Sequence, residues 1–406
     1  MVNLGVEIAG LKLKNPLIVA SGPPGAKLNR IVEAVKRGAG AVITKMILLH
    51  VPPKSFSRFY LTDKNPLHGM LYTPMDKRLN LKEGIALIKG AKQETDVPII
   101  ANIMGPGRNT AGWVELGQAL VDAGVDALEL NLSCPNISYA AKMEKSSSGI
   151  EELGAVAGSD PGITYEIVKA MVKGVKVPII PKLTPEAPDI VAVAEACRRA
   201  GAPAISAING YSSLPGVDIE NEGRPLHPGM ATQAFGGYVG SPLRFLAYRH
   251  IAHLALSFPD LPLLGGGGLM NWEHTVEMIM LGATAPTYCT VLMLKGFETL
   301  TKIKEGLIKF MERKGYDRIS DFRGKGLAYI KSSEEAVINS VIAKLIVNKC
   351  NSCGICLKLC QANCDAIAKV KKGAVVIKPK ECVGCGVCYR ICPKGAIEMV
   401  SVSRIQ

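Results

Sequence analysis

The C-terminal cysteines are the residues whose spacing points most directly to a chemistry. Nine of the 12 cysteines lie between positions 350 and 392. Eight of these nine form two runs with the spacing Cys-x-x-Cys-x-x-Cys-x-x-x-Cys, namely Cys350, Cys353, Cys356 and Cys360, then Cys382, Cys385, Cys388 and Cys392. Such runs hold two [4Fe–4S] clusters, with the fourth cysteine of each run serving the other cluster. The sequence therefore predicts two clusters and one-electron transfer.

This crossed pattern assigns four thiolates to each cluster. One cluster would be held by Cys350, Cys353, Cys356 and Cys392, and the other by Cys382, Cys385, Cys388 and Cys360. Two zinc sites are the alternative, but the runs match the paired Cys-x-x-Cys of zinc ribbons poorly. Because Gln361 stands where the first run would normally have proline, either Cys360 or the ninth cysteine, Cys364, could be the fourth ligand.

The residues before this module predict a large domain of alternating strands and helices. Short β-branched runs alternate with longer amphipathic stretches. After an opening hairpin at 6–13, strands are predicted at 17–21, 40–45, 98–102, 127–131, 178–182, 204–209, 262–265 and 286–290. Predicted helices include 110–123, 187–200, 271–281 and 297–313. Eight βα units predict an α/β fold, a (β/α)8 TIM barrel. A doubly wound sheet is the alternative, but no Gly-x-Gly-x-x-Gly follows the first strand.

The predicted organisation has three segments. They are a barrel at 1–325, a linker at 326–349 that ends in a short amphipathic helix, and a bacterial-ferredoxin-like domain with two [4Fe–4S] clusters at 350–406. The connections after the second, fourth and sixth strands are unusually long. Because barrel enzymes build their sites from the loops at the strand C-termini, we expect the functional site at that end.

Composition excludes several classes of protein. The chain carries 48 Lys and Arg against 35 Asp and Glu, a formal charge of +13, and 48% of its residues are hydrophobic. No apolar run approaches the ~18 residues of a membrane span, and the N-terminus lacks the pattern of a signal peptide. Dispersed basic residues and few aromatic ones argue against a nucleic-acid-binding protein. Crowded cysteines without an export signal predict a reducing, cytoplasmic location.

A second cofactor is expected in the barrel. Clusters move single electrons and cannot alone reduce a closed-shell organic molecule, whereas flavin exchanges both one and two electrons. Gly265–Gly268 ends the seventh predicted strand and Cys289-Thr290 ends the eighth, and barrels bind phosphate in the loops after these strands. The backbone N–H groups of Gly267 and Gly268 would form an anion cradle. A flexible turn is the alternative interpretation of this glycine run.

A motif at the end of the fourth predicted strand carries a family resemblance. The residues Asn131-Leu132-Ser133-Cys134-Pro135-Asn136 resemble those of the dihydroorotate dehydrogenase and dihydropyrimidine dehydrogenase flavoproteins. The resemblance covers the barrel and extends to Ser21-Gly22, Thr44-Lys45, Asn102, Lys182-Leu183-Thr184-Pro185, Asn209, Phe235 to Gly240, Gly267-Gly268 and Thr290. With its two-cluster module, the chain is most similar to the catalytic subunits of bacterial NAD-dependent dihydropyrimidine dehydrogenases, whose partner is a flavoprotein that takes electrons from NADH.

The resemblance implies FMN as the barrel cofactor. Its phosphate would bind at Gly240, Gly267, Gly268 and Thr290, and its ring edge at Ser21, Gly22, Lys45, Asn102, Asn131 and Lys182. Lys182 would also act electrostatically, because reduced flavin carries negative charge near N1 and O2 that a fixed cation stabilises.

The resemblance also implies the residues that act on the substrate. Cys134 would move a proton at the carbon next to the one that exchanges hydride with flavin. A buried structural thiol is the alternative for Cys134. Asn131, Asn136 and Asn209 would bind the substrate through carboxamides, which both donate and accept hydrogen bonds.

Two positions depart from the pyrimidine-binding pattern of the family. Relatives have an asparagine where this chain reads Gly69-Met70-Leu71-Tyr72-Thr73-Pro74, and a hydroxylated residue where this chain has Gly210. A pyrimidine would then leave polar groups unpaired, at about 1–3 kcal/mol each. The natural substrate is therefore left open between uracil or thymine and a related cyclic or enoyl compound.

Together these residues predict an FMN- and iron–sulfur-dependent oxidoreductase acting on a CH–CH or C=C bond conjugated to a carbonyl. Dihydroorotate dehydrogenase is the alternative enzyme, and an electron-transfer protein without an organic substrate is the alternative of another class. The predicted partner is an NADH-linked flavoprotein subunit or a ferredoxin. The resemblance further implies a homo-oligomer or heteromer.

Overall fold

Two structural units make up the chain, Met1–Tyr329 and Ile330–Gln406. The computed structural model describes residues 2–49, 59–61, 65, 69–72, 78–133, 156–214, 216–226, 231, 235–369 and 375–402. Within these ranges, no helix is both long enough and apolar enough to cross a membrane.

The first unit is a closed barrel of eight parallel strands. Their bounds are Ile18–Val19, Ala41–Ile43, Ile99–Met104, Ala127–Asn131, Ile179–Leu183, Ile205–Ala207, Leu263–Gly266 and Ala285–Tyr288. The eighth strand pairs with the first, and the third pairs with the fourth, so that each strand has two parallel neighbours. The predicted (β/α)8 barrel is confirmed, and the doubly wound sheet is excluded.

Helices follow the barrel strands along the chain. Their bounds are Leu28–Lys36, Leu81–Glu94, Thr110–Val121, Pro161–Gly174, Ile190–Arg199, Arg244–Ser257, Trp272–Met280, Thr290–Lys295 and Glu298–Lys314. Five of them begin after an Asn or Asp whose side chain accepts a hydrogen bond from a backbone N–H of the first turn, and these residues are Asn80, Asn109, Asp160, Asp189 and Asn271. Such caps fix where each helix starts after its loop.

A hairpin covers one end of the barrel and leaves the other end for the site. Val6–Ile8 pairs antiparallel with Leu11–Leu13, as predicted. Ile8 and Leu13 pack against the first residues of the barrel strands, such as Ile18 and Ile180. The strand C-termini lie at the opposite end. There the strand Met70–Tyr72 joins a small antiparallel sheet with Phe59–Leu61, Gly236–Val239 and Tyr211–Ser213.

The central strands are buried along their whole length, yet four of their residues are polar. Every residue of Ile99–Met104, Ala127–Asn131 and Ile179–Leu183 is buried. Apolar residues dominate, as parallel strands covered on both faces require. The exceptions are Asn102, Glu129, Asn131 and Lys182. Because burying polar groups costs free energy unless they are paired, these four residues mark the chemistry of the barrel.

The second unit is built from two strand pairs and two short helices. Val341–Leu345 pairs antiparallel with Ile397–Ser401, and Ile367–Lys369 pairs with Val375–Ile377. The helices are Ile355–Gln361 and Val387–Ile391, and Cys356 and Cys388 point into the small core. The prediction of an amphipathic helix at the end of the 326–349 linker is wrong. Residues 341–345 form a strand instead, because they pair with a segment more than 50 positions later in the chain.

The turn that follows the long connection after the fourth strand offers a test of this fold. Gly158 lies in the buried turn Ala157–Ser159, where an added Cβ would overlap the carbonyl oxygen of Leu132. We expect Gly158→Ala to lower the free energy of unfolding by about 1–3 kcal/mol, because backbone must move. Exposed Gly162, where a Cβ meets only the Asp160 side chain at 3.1 Å, is the matched control. Equal urea midpoints for Gly158→Ala and Gly162→Ala would contradict this packing.

Candidate active site

A cavity opens at the C-terminal end of the barrel strands. It encloses about 1030 Å³ of empty space, open solvent included. The predicted residues that line it are Ser21, Gly22, Lys45, Asn131, Lys182, Asn209, Gly240, Gly267, Gly268 and Thr290. These residues come from the ends of seven different strands or from the loops that follow them. Closure of the barrel alone brings them together.

One side of this cavity is a cradle of glycines. Gly240, Gly267 and Gly268 have φ values of 100°, 130° and 74°, a region that favours glycine. A Cβ on Gly268 would lie 2.6 Å from the Gly240 carbonyl oxygen and 2.7 Å from the Arg244 nitrogen. A Cβ on Gly240 would lie 3.4 Å from Thr290 Cγ2. The loops therefore meet without side chains between them, which leaves backbone N–H groups accessible and fits a phosphate group.

The fourth and fifth strands bring the buried acid Glu129 next to Lys182, which lines the cavity. Lys182 Nζ lies 3.8 Å from Glu129 Oε1, and the two side chains are 9% and 0% exposed. Strand register sets Asn131 beside Lys182 and Glu129 beside Asn102. Glu129 and Asn131 are two residues apart and therefore face the same way.

A chain of hydrogen bonds continues from this pair to the cavity surface. Asn102 Nδ2 donates to Glu129 Oε1 at 2.7 Å, and Asn131 Nδ2 donates to Asn102 Oδ1 at 3.2 Å. Ser133 donates to Asn131 Oδ1, and Asn209 Nδ2 donates to Ser133 Oγ at 3.0 Å. Asn102 is fully buried behind Asn131 and does not line the cavity, so its contact with flavin stays a prediction.

Cationic side chains give the cavity a positive potential. Lys45, Arg78 and Lys182 all line it and are each less than a tenth exposed. Sequence reasoning missed Arg78, which lies inside the long connection after the second strand. The pairing of Ile47–Leu48 with Leu79–Asn80 brings Arg78 to the cavity. No local pattern in the sequence signals that pairing.

The cysteines of the barrel occupy different environments. Cys197 is buried in the core, where burial raises the pKa of its thiol well above the usual range. Cys289 lines the cavity, and a Cβ on Gly22 would overlap its Sγ. Cys134 and Asn136 lie outside the described residues, and their roles stay predictions.

The two departures from the pyrimidine-binding pattern also lie at this end of the barrel. The Gly210 backbone N–H donates to Asn209 Oδ1 at 2.7 Å, and both residues line the cavity. Met70–Tyr72 forms a strand of the small antiparallel sheet, while Thr73 and Pro74 lie outside the described residues. Part of the hydrogen-bonding capacity of Asn209 is therefore satisfied by its own neighbour.

In the second unit, cysteines from the two runs lie close together in space although they are distant in the sequence. Cys360 lines a small cavity together with Cys382, Cys385 and Cys388. Cys364 lines it too, and its Sγ lies 3.6 Å from Cys360 Sγ. Geometry thus brings the fourth cysteine of the first run to the second run, and a set of thiols around one cavity fits an iron–sulfur cluster.

The other predicted ligand set, Cys350, Cys353, Cys356 and Cys392, stays a prediction. Burial raises the pKa of the Cys356 thiol, and the charges of Cys353 and Cys392 raise it further. Burial also raises the pKa of Cys388 to about 11. Backbone N–H groups of Ala343 and Ala396 point at Cys382 and Cys392 Sγ atoms at 3.4 and 3.2 Å. Such donors stabilise sulfur that carries negative charge.

Comparisons with known proteins agree with both units. The chain matches the family model described as dihydroorotate dehydrogenase over residues 81–311, and the model described as 4Fe-4S dicluster domain over residues 349–396. The NAD-dependent dihydropyrimidine dehydrogenase subunit PreA of Escherichia coli (strain K12) is 27% identical over 365 residues, which cover 88% of this chain and 85% of the relative.

Other relatives have a higher identity over a shorter stretch of the chain. The catalytic subunit of dihydroorotate dehydrogenase B (NAD(+)) from Pyrococcus abyssi is 32% identical over 329 residues, and that from Caldicellulosiruptor bescii is 34% identical over 329 residues. Each match covers 80% of this chain and 99% of the relative. The predicted resemblance and the predicted enzyme class, an oxidoreductase acting on CH–CH groups, are confirmed. The chain belongs to the dihydroorotate dehydrogenase family, and it carries a 4Fe–4S domain at its C-terminus.

Proposed function

We propose that this protein uses FMN in the barrel and two [4Fe–4S] clusters in the C-terminal unit to reduce, or to form, a C=C bond conjugated to a carbonyl. The observation that carries the proposal is one cavity that combines a glycine cradle, buried cations and carboxamides. A dihydropyrimidine is the first candidate substrate, because the E. coli relative is named as a dihydropyrimidine dehydrogenase subunit.

The cavity has a suitable group for each part of FMN. Gly240, Gly267, Gly268 and Thr290 would hold the phosphate, and Lys45 and Lys182 would face the electron-rich edge of the ring. When bound, FMN supplies hydride exchange with the substrate and one-electron exchange with the clusters. Lys182 would place a fixed positive charge where negative charge develops during reduction. A fixed cation lowers an activation barrier in this way.

Carboxamides and one thiol would act on the substrate. Asn131 and Asn209 line the cavity and can bind an amide edge, and Asn136 is proposed to join them. Cys134 directly follows Ser133, whose hydroxyl contacts both Asn131 and Asn209. We assign to Cys134 the transfer of a proton to or from the carbon next to the hydride-exchanging carbon.

A carboxylate-bearing substrate such as dihydroorotate is the second candidate. Buried Arg78 lines the cavity with Lys45, and a cation of this kind pairs well with a carboxylate. The relatives named as dihydroorotate dehydrogenase B support the same candidate.

An external electron donor or acceptor is part of the proposal. A flavoprotein subunit that uses NADH, or a ferredoxin, would exchange electrons through the C-terminal unit. Apolar side chains on the two cysteine-bearing helices of that unit are partly exposed, and these are Ile355, Leu359, Val387 and Ile391. Such side chains suit docking of a protein partner.

The function itself is tested by titrating the photoreduced protein without oxygen. We expect uracil, thymine or orotate to restore the flavin absorbance in the wild-type protein. Cys134→Ala should bind FMN normally but reoxidise about 10²–10⁴-fold more slowly, because it lacks the proton donor. Full activity of Cys134→Ala would refute the role of the thiol. A reduced flavin that none of these compounds or other enones reoxidises would favour an electron carrier without its own organic substrate.

The glycine cradle is tested by a matched pair of substitutions. Gly268→Ala should weaken FMN binding by about ten-fold or more, because the Cβ has no space beside Gly240 and Arg244. Gly296 has nearly the same φ, 76° against 74°, but no atom lies within 4 Å of its Cβ. Gly296→Ala is therefore the control for backbone strain. Equal loss of FMN fluorescence quenching in the two variants would exclude a steric role for the cradle.

Iron content distinguishes the two candidates for the fourth ligand. Two clusters correspond to about eight iron atoms per chain. We expect Cys360→Ala to lower iron to about four atoms per chain, because its cluster loses a thiolate, and Cys364→Ala to leave it unchanged. The reverse pattern would make Cys364 the ligand, and zinc in place of iron would refute the clusters.

A further inference from the structure

Glu129 is a buried acid that no motif of the sequence analysis singled out. It is fully buried in the fourth barrel strand, and Asn102 Nδ2 donates to its Oε1 at 2.7 Å. Lys182 Nζ lies 3.8 Å from the same oxygen. Its Oε2 has no hydrogen-bond partner within the part of the chain that the structure describes. Burying a carboxylate in this way costs free energy, so the position of Glu129 needs a physical reason.

The hydrogen-bond chain that ends at Glu129 has only one possible direction. At its outer end, the backbone N–H groups of Gly210 and Ser133 can only donate, and they donate to Asn209 Oδ1 and Asn131 Oδ1. At its inner end, the carboxylate of Glu129 can only accept. Each carboxamide between these ends therefore has a single orientation.

This direction determines what the cavity presents to a ligand. With its Oδ1 held by Ser133, Asn131 must direct Nδ2 toward Asn102 Oδ1. Asn102 must then direct its own Nδ2 inward, where Glu129 is the acceptor. Without that acceptor, a buried N–H would lose its partner, which costs free energy. Glu129 thus supplies the last acceptor of the chain that reaches Asn131, although Glu129 itself does not line the cavity.

The same carboxylate also sets the charge around Lys182. A negative group 3.8 Å from the ammonium offsets part of the positive potential that Lys182 projects into the cavity. Reduced flavin carries extra negative charge. The smaller positive potential would therefore stabilise reduced flavin less, and this effect would be larger than for oxidised flavin.

We propose that Glu129 is a positioning residue of the active site. It ends the hydrogen-bond chain that orients Asn131 and Asn209, and it moderates the positive charge of Lys182 so that the reduction potential of bound FMN stays low. The inference rests on the proposed function, because it assumes FMN in the cavity.

Glu129→Gln separates the two roles. Glutamine keeps an acceptor for Asn102 but removes the negative charge. We expect the FMN affinity of Glu129→Gln to stay within about two-fold of the wild-type value. At a given potential, the ratio of reduced to oxidised FMN should rise about ten-fold, which equals a midpoint potential about 30 mV higher for a two-electron couple. Glu129→Leu removes the acceptor as well, and should weaken FMN binding about ten-fold or more.

Glu195→Gln is the matched control, since Glu195 lies on the barrel exterior in an exposed ion pair with Arg198. It should change neither FMN affinity nor midpoint potential. The measurements are fluorescence titration of the FMN-depleted protein and anaerobic redox titration of the reconstituted protein. An unchanged midpoint in Glu129→Gln would overturn the inference while leaving the proposed function in place. A wild-type protein that binds no FMN would overturn both.

Discussion

The ion pair between Lys182 and Glu129 is the interaction on which the barrel site depends. Both side chains are buried in strands whose other residues are almost all apolar. Removing one partner of a buried pair typically costs about 3–5 kcal/mol, because the remaining charge is left without compensation. Each charge therefore compensates the other, and the register between the fourth and fifth strands fixes where the pair lies. The hydrogen-bond chain that reaches Asn131 and Asn209 starts at this ion pair.

Steric exclusion positions the other half of the site. At Gly240, Gly267 and Gly268 the backbone adopts conformations that other residues seldom take, and a Cβ on Gly268 would collide with neighbouring backbone atoms. No single loop makes this cradle, because it forms only where the loops after different strands meet. The hairpin that covers the opposite end leaves one accessible mouth. In the proposed function, the glycines would bind the phosphate and the cations would face the ring within one cavity, which all of them line.

Sequence alone predicted much of this architecture, for identifiable physical reasons. Buried parallel strands are continuous apolar runs, and the cysteine spacing is set by cluster geometry, so both can be recognised locally. Glu129 escaped notice because one acid in the run Ala127–Asn131 looks like ordinary alternation. Arg78 and the strand Val341–Leu345 also escaped notice, since their positions depend on pairing with distant residues. Local patterns predicted a helix where a long-range partner imposed a strand.

Asn209 illustrates how the backbone can narrow the choice of substrate. Its Oδ1 accepts from the Gly210 N–H, and its Nδ2 donates to Ser133, so both ends of the carboxamide already have a partner inside the protein. These two hydrogen bonds fix which end of the carboxamide carries the oxygen and which the nitrogen. A ligand at this position would therefore meet a carboxamide of fixed orientation beside Gly210, which has no side-chain hydroxyl. In the proposed function, a polar ligand group that faces Gly210 would find no side-chain partner there, and an unpaired polar group reduces affinity. In the same proposal, the buried cations Lys45 and Arg78 would favour a ligand that carries negative charge where it approaches them.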